Sequence, residues 1–204
     1  MPRTADARPP AEPSSPRQKA RYRRILRTAA DLAADRGLDR VQMIDVARDA
    51  GVAIGTLYRY FPSKTHLYTA VMADQVERLR AATPPPDPAR SPHDAVSELL
   101  LRANRNLLRR PALALAMMRS VHLAHAARVA DAGRIDRTVH DLLLATLGVD
   151  RPTARDVALV RLLVQCWYGL LTSTLNGRTS RPEAESDLRL ACRVLVRARQ
   201  EGAT

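Results

Sequence analysis

The sequence predicts an all-α protein of about nine helices, and three observations carry that prediction. Apolar residues recur at three- and four-residue spacing, as in Ile25, Ala29, Leu32 and Ala33, which form one face of a 3.6-residue helix. No stretch sustains the period-two alternation of a half-buried strand. The 14 prolines gather outside the periodic runs or just ahead of them, where a missing N–H costs a helix nothing.

Taken in order, residues 1–16 hold five prolines among Ser, Ala and Arg and read as a disordered arm. The run through Ile25 and Leu32 is the first long helix. Short helical segments fill 41–64. Tyr68, Met72, Val76 and Leu79 then mark a longer helix after Pro62, closing a unit at 17–82. The stretch TPPPDPARSP supplies a proline-rich linker at 83–93. Apolar runs at about 94–109, 111–126, 134–147, 153–176 and 181–199 complete a C-terminal helical domain at 94–204. Asn176-Gly177 resembles a hairpin turn but follows a long helical pattern, so it reads as a helix C-cap.

Composition removes several classes of function. Two cysteines, Cys166 and Cys192, form neither a disulfide framework nor a four-ligand zinc site. His122 and His125 lie three apart, with no Cys, Asp or Glu adjacent in sequence to complete a metal site. No apolar leader opens the chain, and the uncharged run Leu162–Gly177 is too short and polar for a membrane span, so a soluble cytoplasmic protein is expected. No nucleophile elbow, phosphate-cradling glycine loop or paired-carboxylate motif occurs, so neither enzymatic activity nor a cofactor is expected.

The informative segment is VQMIDVARDAGVAIGTLYRYFPSK. Val46 and Ala47 line a short helix that stops at Gly51, and a second spans about Ala53 to Tyr60 with Leu57 and Phe61 turned inward. Two short helices about a glycine turn make a helix-turn-helix, whose second helix enters the DNA major groove. Gly55 permits close approach. The Thr56, Tyr58 and Tyr60 hydroxyls suit phosphate or base edges, and Arg59 suits a bidentate guanine contact.

The longer stretch AGVAIGTLYRYFPSKTHL resembles the DNA-binding signature of the TetR (tetracycline-repressor-like) family, through Gly51, Val52, Thr56, Tyr58, Phe61, Ser63, Lys64 and Leu67. Lys64 is one of only two lysines in the chain. The resemblance implies phosphate contacts at Thr56, Tyr58, Tyr60 and Lys64, and base reading around the glycine. With the basic first helix, the expected DNA-contacting set is Gln42, Ala53, Gly55, Thr56, Tyr58, Arg59, Tyr60, Lys64, Arg21 and Arg24. Two positions depart from the family pattern: Ile44 replaces a polar contact, and Gln42 replaces the usual Thr cap. VQM…VAIGTLYRYFPSKTHL and RRPALALAMMRS also resemble the KstR-like branch of steroid-catabolism repressors, which implies an acyl-CoA thioester as effector.

The resemblance further implies a homodimer on a palindromic operator, with a small hydrophobic effector held in the C-terminal domain. A lining of Leu113, Met117, Met118, Val121, Trp167 and Tyr168 is expected, with Arg119, His122 and Gln165 as polar anchors. Val157, Val160, Val164 and Leu171 on one long helix, and Leu188, Ala191, Leu195 and Ala198 on the next, form seams suited to a subunit interface. A helical carrier without specific DNA binding, or an activator of the same family, fits the same residues.

Charge points toward DNA without locating the reader. Thirty-three Lys and Arg against 21 Asp and Glu give +12. Residues 1–27 carry eight cations and two acids, whereas 28–82, which hold the helix-turn-helix, carry seven of each. The basic arm is expected to grip phosphates, while residue type and order in the neutral segment set specificity.

Overall fold

Nine α-helices and no strand make up the described residues, 10–87, 89–127 and 129–201, of the computed structural model, with side chains described as far as Ala198. They are α1 (Pro16–Arg36), α2 (Met43–Asp49), α3 (Ile54–Tyr60), α4 (Lys64–Ala81), α5 (Pro92–Leu108), α6 (Pro111–Ala126), α7 (Ala130–Thr146), α8 (Ala154–Leu175) and α9 (Arg181–Glu201). A single 3-10 turn, Leu38–Arg40, joins α1 to α2.

Local chemistry sets the helix ends. Ser15, Ser63, Ser91 and Thr153 each accept from the N–H three residues on, and Pro16, Pro92 and Pro111 occupy the first helical turn. Asn176 caps α8, and Gly177 takes the left-handed turn beyond it at φ 70°, so that dipeptide is a helix stop. Residues 1–9 of the expected arm lie outside the described residues. The Ala11 N–H donates to the Arg59 carbonyl at 2.9 Å, which lays the chain before α1 against the end of α3.

Two cores result. The first joins α1–α4 with the C-terminal end of α5 and with α6, burying Ile25, Leu57, Phe61, Leu67 and Tyr68 together with Leu113 and Met117, and takes in Ile135 of α7 and Leu171 of α8. The second joins α5, α7, α8 and α9 through residues such as Leu101, Leu143, Leu163 and Leu188. The helix-turn-helix unit is therefore continuous with α6, and ion pairs Arg110–Asp31 (2.8 Å) and Arg119–Asp39 (3.0 Å) tie α6 and its N-cap to α1 and the 3-10 turn.

This packing corrects two expectations. Leu113, Met117 and Met118 fill the junction core instead of lining a cavity, and Val121 packs at its margin. Arg119 and His122 are exposed, Arg119 in its pair with Asp39, because the opposite face of α6 is buried against α1 and α4. In the expected subunit seams, Val160, Leu171 and Leu188 are fully buried within the chain, and Val164, Ala191 and Leu195 are partly buried. Their helical spacing is an intrachain seam; Val157 and Ala198 alone of that set are exposed. The apolar surface left open lies further round the helices, at Leu162 and Cys166 on α8 and at Leu190 and Val194 on α9.

Candidate nucleic-acid interface and internal cavity

A seven-residue helix cannot hold itself together in water, so α3 depends on what it packs against. Leu57 is its fully buried anchor and Phe61 its buried cap. The Val52 N–H donates to the Ala47 carbonyl at 2.9 Å, closing the turn where Gly51 takes φ 61°. From α1, Arg24 Nε donates to the Ala50 carbonyl at 2.8 Å, which holds the end of α2. The tilted Tyr22 and Phe61 rings meet at 4.9 Å between centroids, and Tyr22 meets Tyr60 edge-on at 5.6 Å.

Gly55, Tyr58 and Arg59, at i, i+3 and i+4 on α3, are all exposed; Tyr58 keeps 48% of its surface open. A Cβ at Gly55 would meet nothing within 4 Å, so intrachain packing places no demand for glycine there. Ala53 and Gln42 are exposed N-caps, of α3 and α2, and neither makes a side-chain capping bond. Thr56 and Arg21 are half-buried. Exposed Ile44 (58%) extends this surface onto α2 as an apolar spot.

Tyr60 is a correction. It is 2% exposed, its ring packs against Tyr22 and Phe61, and its hydroxyl has no hydrogen-bond partner among the described residues, so it presents nothing to an outside phosphate. Two residues along a helix turn a side chain by about 200°, which separates exposed Tyr58 from buried Tyr60. The Arg59 guanidinium lies 5.4 Å from the Tyr60 ring centroid, a cation–π contact that steadies an otherwise exposed arginine.

Lys64 has a structural task that the sequence did not announce. Its Nζ donates to the carbonyls of Val41 (2.8 Å) and Leu38 (3.3 Å), locking the start of α4 to the 3-10 turn and leaving one N–H for another acceptor. Arg24 is similar, with Nε committed to Ala50 and the rest of its guanidinium outward. A cation four or more residues from its acceptor in sequence carries no local signature of such a brace, so neither was legible beforehand.

An apolar cavity of about 80 Å³ lies between α4, α5, α7 and α8. Met72 and Val76 of α4 face Leu100 and Ala103 of α5 across it, with Leu143 and Trp167 completing the wall. The Trp167 Nε1–H is buried without a partner among the described residues, beside a cavity whose polar lining groups are Gln75 and Asn106. Of the expected ligand residues, Trp167 alone lines it. Gln165 and Tyr168 are exposed on the far side of α8, because the helix turns them away from Trp167. Among the described residues no group of three His, Cys, Asp or Glu gathers as a metal site.

Comparison with known proteins bears on both halves. A family model described as bacterial regulatory proteins, tetR family, matches residues 25–71, and one described as tetracyclin repressor-like, C-terminal domain, matches residues 90–195. The HTH-type transcriptional repressor KstR of Rhodococcus jostii is 34% identical over 183 residues, covering 90% of this chain and 86% of that protein. KstR of Mycobacterium tuberculosis is 30% identical over 187 residues, covering 91% and 85%. The crystal structure of a TetR transcriptional regulator from Rhodococcus sp. RHA1 is 53% identical, with a TM-score of 0.80 over 88% of this chain and 96% of that one. FadR of Thermus thermophilus, in complex with lauroyl-CoA, has the same fold at 22% identity and a TM-score of 0.58, covering 86% of this chain and 93% of that one.

The orphaned hydroxyl yields a direct test. Tyr60→Phe removes a buried polar group that has no partner, so stability should stay level or rise by about 1 kcal/mol. Chemical denaturation checks it; a loss of more than about 1 kcal/mol would mean that the hydroxyl is satisfied.

Proposed function

Because the chain belongs to the TetR family of DNA-binding transcriptional regulators, we propose that it is a repressor, released from a palindromic operator by a small hydrophobic effector. The observation that carries this is the outward set Gly55, Tyr58 and Arg59 on a helix anchored from beneath by Leu57, Tyr60 and Phe61. Arg59 reads a base edge, and Tyr58, Thr56 and the free N–H of Lys64 hold phosphates on either side. Residues 17–82 are the reading unit and 94–204 the sensing and pairing unit.

The protein acts as a homodimer through α8 and α9. Helix α8 is long and apolar enough to cross a membrane, but Leu159, Val160, Leu163 and Leu171 bury one side of it within the chain. The other side carries Arg161 and Gln165 among Leu162, Cys166 and Gly169, a mixture suited to a protein partner. Leu190 and Val194 continue that surface onto α9. Pairing there sets two copies of α3 about 34–36 Å apart, one turn of DNA, or a multiple of that. The substitution pair Leu190→Glu and Val194→Glu should convert the dimer to monomer at micromolar concentration. Sedimentation that still shows a dimer would move the interface elsewhere.

The effector enters the cavity beside Trp167. The unpartnered Nε1–H there calls for an acceptor oxygen on an otherwise apolar molecule, which an acyl thioester carbonyl supplies. That lauroyl-CoA occupies FadR of the same fold supports an acyl-CoA class of effector. At about 80 Å³ the cavity is well below the 300–1,000 Å³ of pockets for drug-sized ligands, so binding must spread its walls. Met72, Gln75, Val76 and Leu79 place α4 in one of those walls. The spread therefore reaches the helix that begins beside α3.

Selection of bound sequences from a random DNA pool should return a palindrome. Arg59→Ala should weaken binding to it by about 1–3 kcal/mol and relax preference at one position of each half-site. A uniform loss across all sequences would reduce Arg59 to a phosphate contact. Ala103→Phe fills the cavity, so it should keep operator binding while losing acyl-CoA release and the associated change in emission from Trp167, the chain's one tryptophan. Normal release by the Ala103→Phe protein would place the effector elsewhere.

A further inference from the structure

A second recess, of about 210 Å³, opens between α1, α4 and α7 and shares only Val76 with the lining of the Trp167 cavity. Its floor is apolar, formed by Leu26, Ala70, Ala73 and Ile135. Charged groups crowd its rim, and most are already matched. Asp74 pairs with Arg78 at 2.6 Å, Glu77 pairs with Arg80, and Arg134 pairs with Asp131 at 2.9 Å. Lys19 and Arg23 remain, one turn apart on α1, with no ion-pair partner among the described residues.

Tyr22 lies between these two cations and also lines the recess. Its hydroxyl makes no hydrogen bond among the described residues. Burial, with the carboxylates of Asp131, Asp74 and Glu12 adding to it and Arg134 opposing, pushes the phenol well above its ordinary range, so it stays a neutral donor. The same ring contacts Tyr60 and Phe61 at the end of α3. An occupant of the recess therefore touches a side chain that supports the DNA-facing helix.

We propose that this recess is a second ligand site, distinct from the Trp167 cavity, which takes a small amphipathic carboxylate. Its carboxylate meets Lys19 and Arg23 and accepts from the Tyr22 hydroxyl, and its short alkyl or aryl body covers Leu26 and Ala73. The recess volume of about 210 Å³ suits a small molecule, the two cations without an ion-pair partner among the described residues favour an anion, and the apolar floor disfavours a bare inorganic ion.

Octanoate is the probe, titrated calorimetrically into the full-length protein without DNA. Saturable binding at one site per protomer is expected. The exposed pair Lys19→Gln and Arg23→Gln should weaken it at least about tenfold without unfolding the chain, and neutral octanamide should bind at least about tenfold more weakly than octanoate. The Ala103→Phe protein, whose other cavity is filled, should bind octanoate as the wild type does. The site is overturned if saturation fails by about 10 mM, if octanamide matches octanoate, or if the double substitution leaves the affinity unchanged. Loss of octanoate binding in Ala103→Phe would equally overturn it by placing the acid beside Trp167.

Discussion

Helix α4 is packed on two sides at once, and the rest of the molecule depends on that constraint. Leu67, Tyr68, Ala70 and Val71 bury it in the same core as α1 and α6, and the Tyr68 hydroxyl donates to the Ala29 carbonyl at 2.9 Å. Farther along, Met72, Val76 and Leu79 line the cavity shared with α5, α7 and α8. The helix is thus a member of both cores and no mere spacer between them. Burying apolar surface is worth about 25 cal/mol per Å², so α1, α4 and α6 resist separation far more strongly than they resist turning together. The exposed pairs Arg110–Asp31 and Arg119–Asp39 add at most about 1 kcal/mol each, and their main effect is to fix the register of α6 on that block.

The DNA-facing helix inherits its orientation from this block. It contributes seven residues, anchored by buried Leu57 and Phe61 against the Tyr22 ring of α1, while Arg24 and Lys64 brace the end of α2 and the 3-10 turn beside it. Even the segment ahead of α1 participates, through the Ala11 bond to Arg59. Such a helix has little freedom to adjust by itself, which suits a reader whose specificity rests on where a few side chains meet base edges. Whatever tilts the block tilts the reader.

Much of this was legible in the sequence, for reasons that also explain what was not. Proline placement and three-four spacing gave the helices, because the missing N–H and the apolar stripe are local properties. The run from Gly51 to Leu67 marked the reading unit, because its turn, cap and cation occur at fixed offsets. Spacing reveals an apolar stripe but not its partner. Hence Leu113 and Met117 read as cavity lining when they fill the junction core, and Val160, Leu171 and Leu188 read as a subunit seam when they pack within the chain. Tyr60 failed differently: aromatic residues two apart look alike until the helix phase is fixed, and Leu57 and Phe61 fix it with Tyr60 inside. The long-range braces of Lys64 and Arg24 left no pattern at all, since their acceptors are backbone carbonyls.

The same packing bounds how an effector can work. A ligand shifts an equilibrium only through unequal affinity for the two arrangements. Moving a population from 1:99 to 99:1 takes about 5.5 kcal/mol of preference, equivalent at ~25 cal/mol per Å² to roughly 220 Å² of apolar surface buried in one arrangement alone. That is the area of one large aromatic side chain, so the body of an acyl chain or a fused ring system is sufficient. In the proposed site the apolar walls beside Trp167 would supply that term. Because α4 is cemented to α1 and α6, the wall it forms cannot yield locally. On our proposal the added volume appears as a movement of that block against the second core, carrying α3 with it.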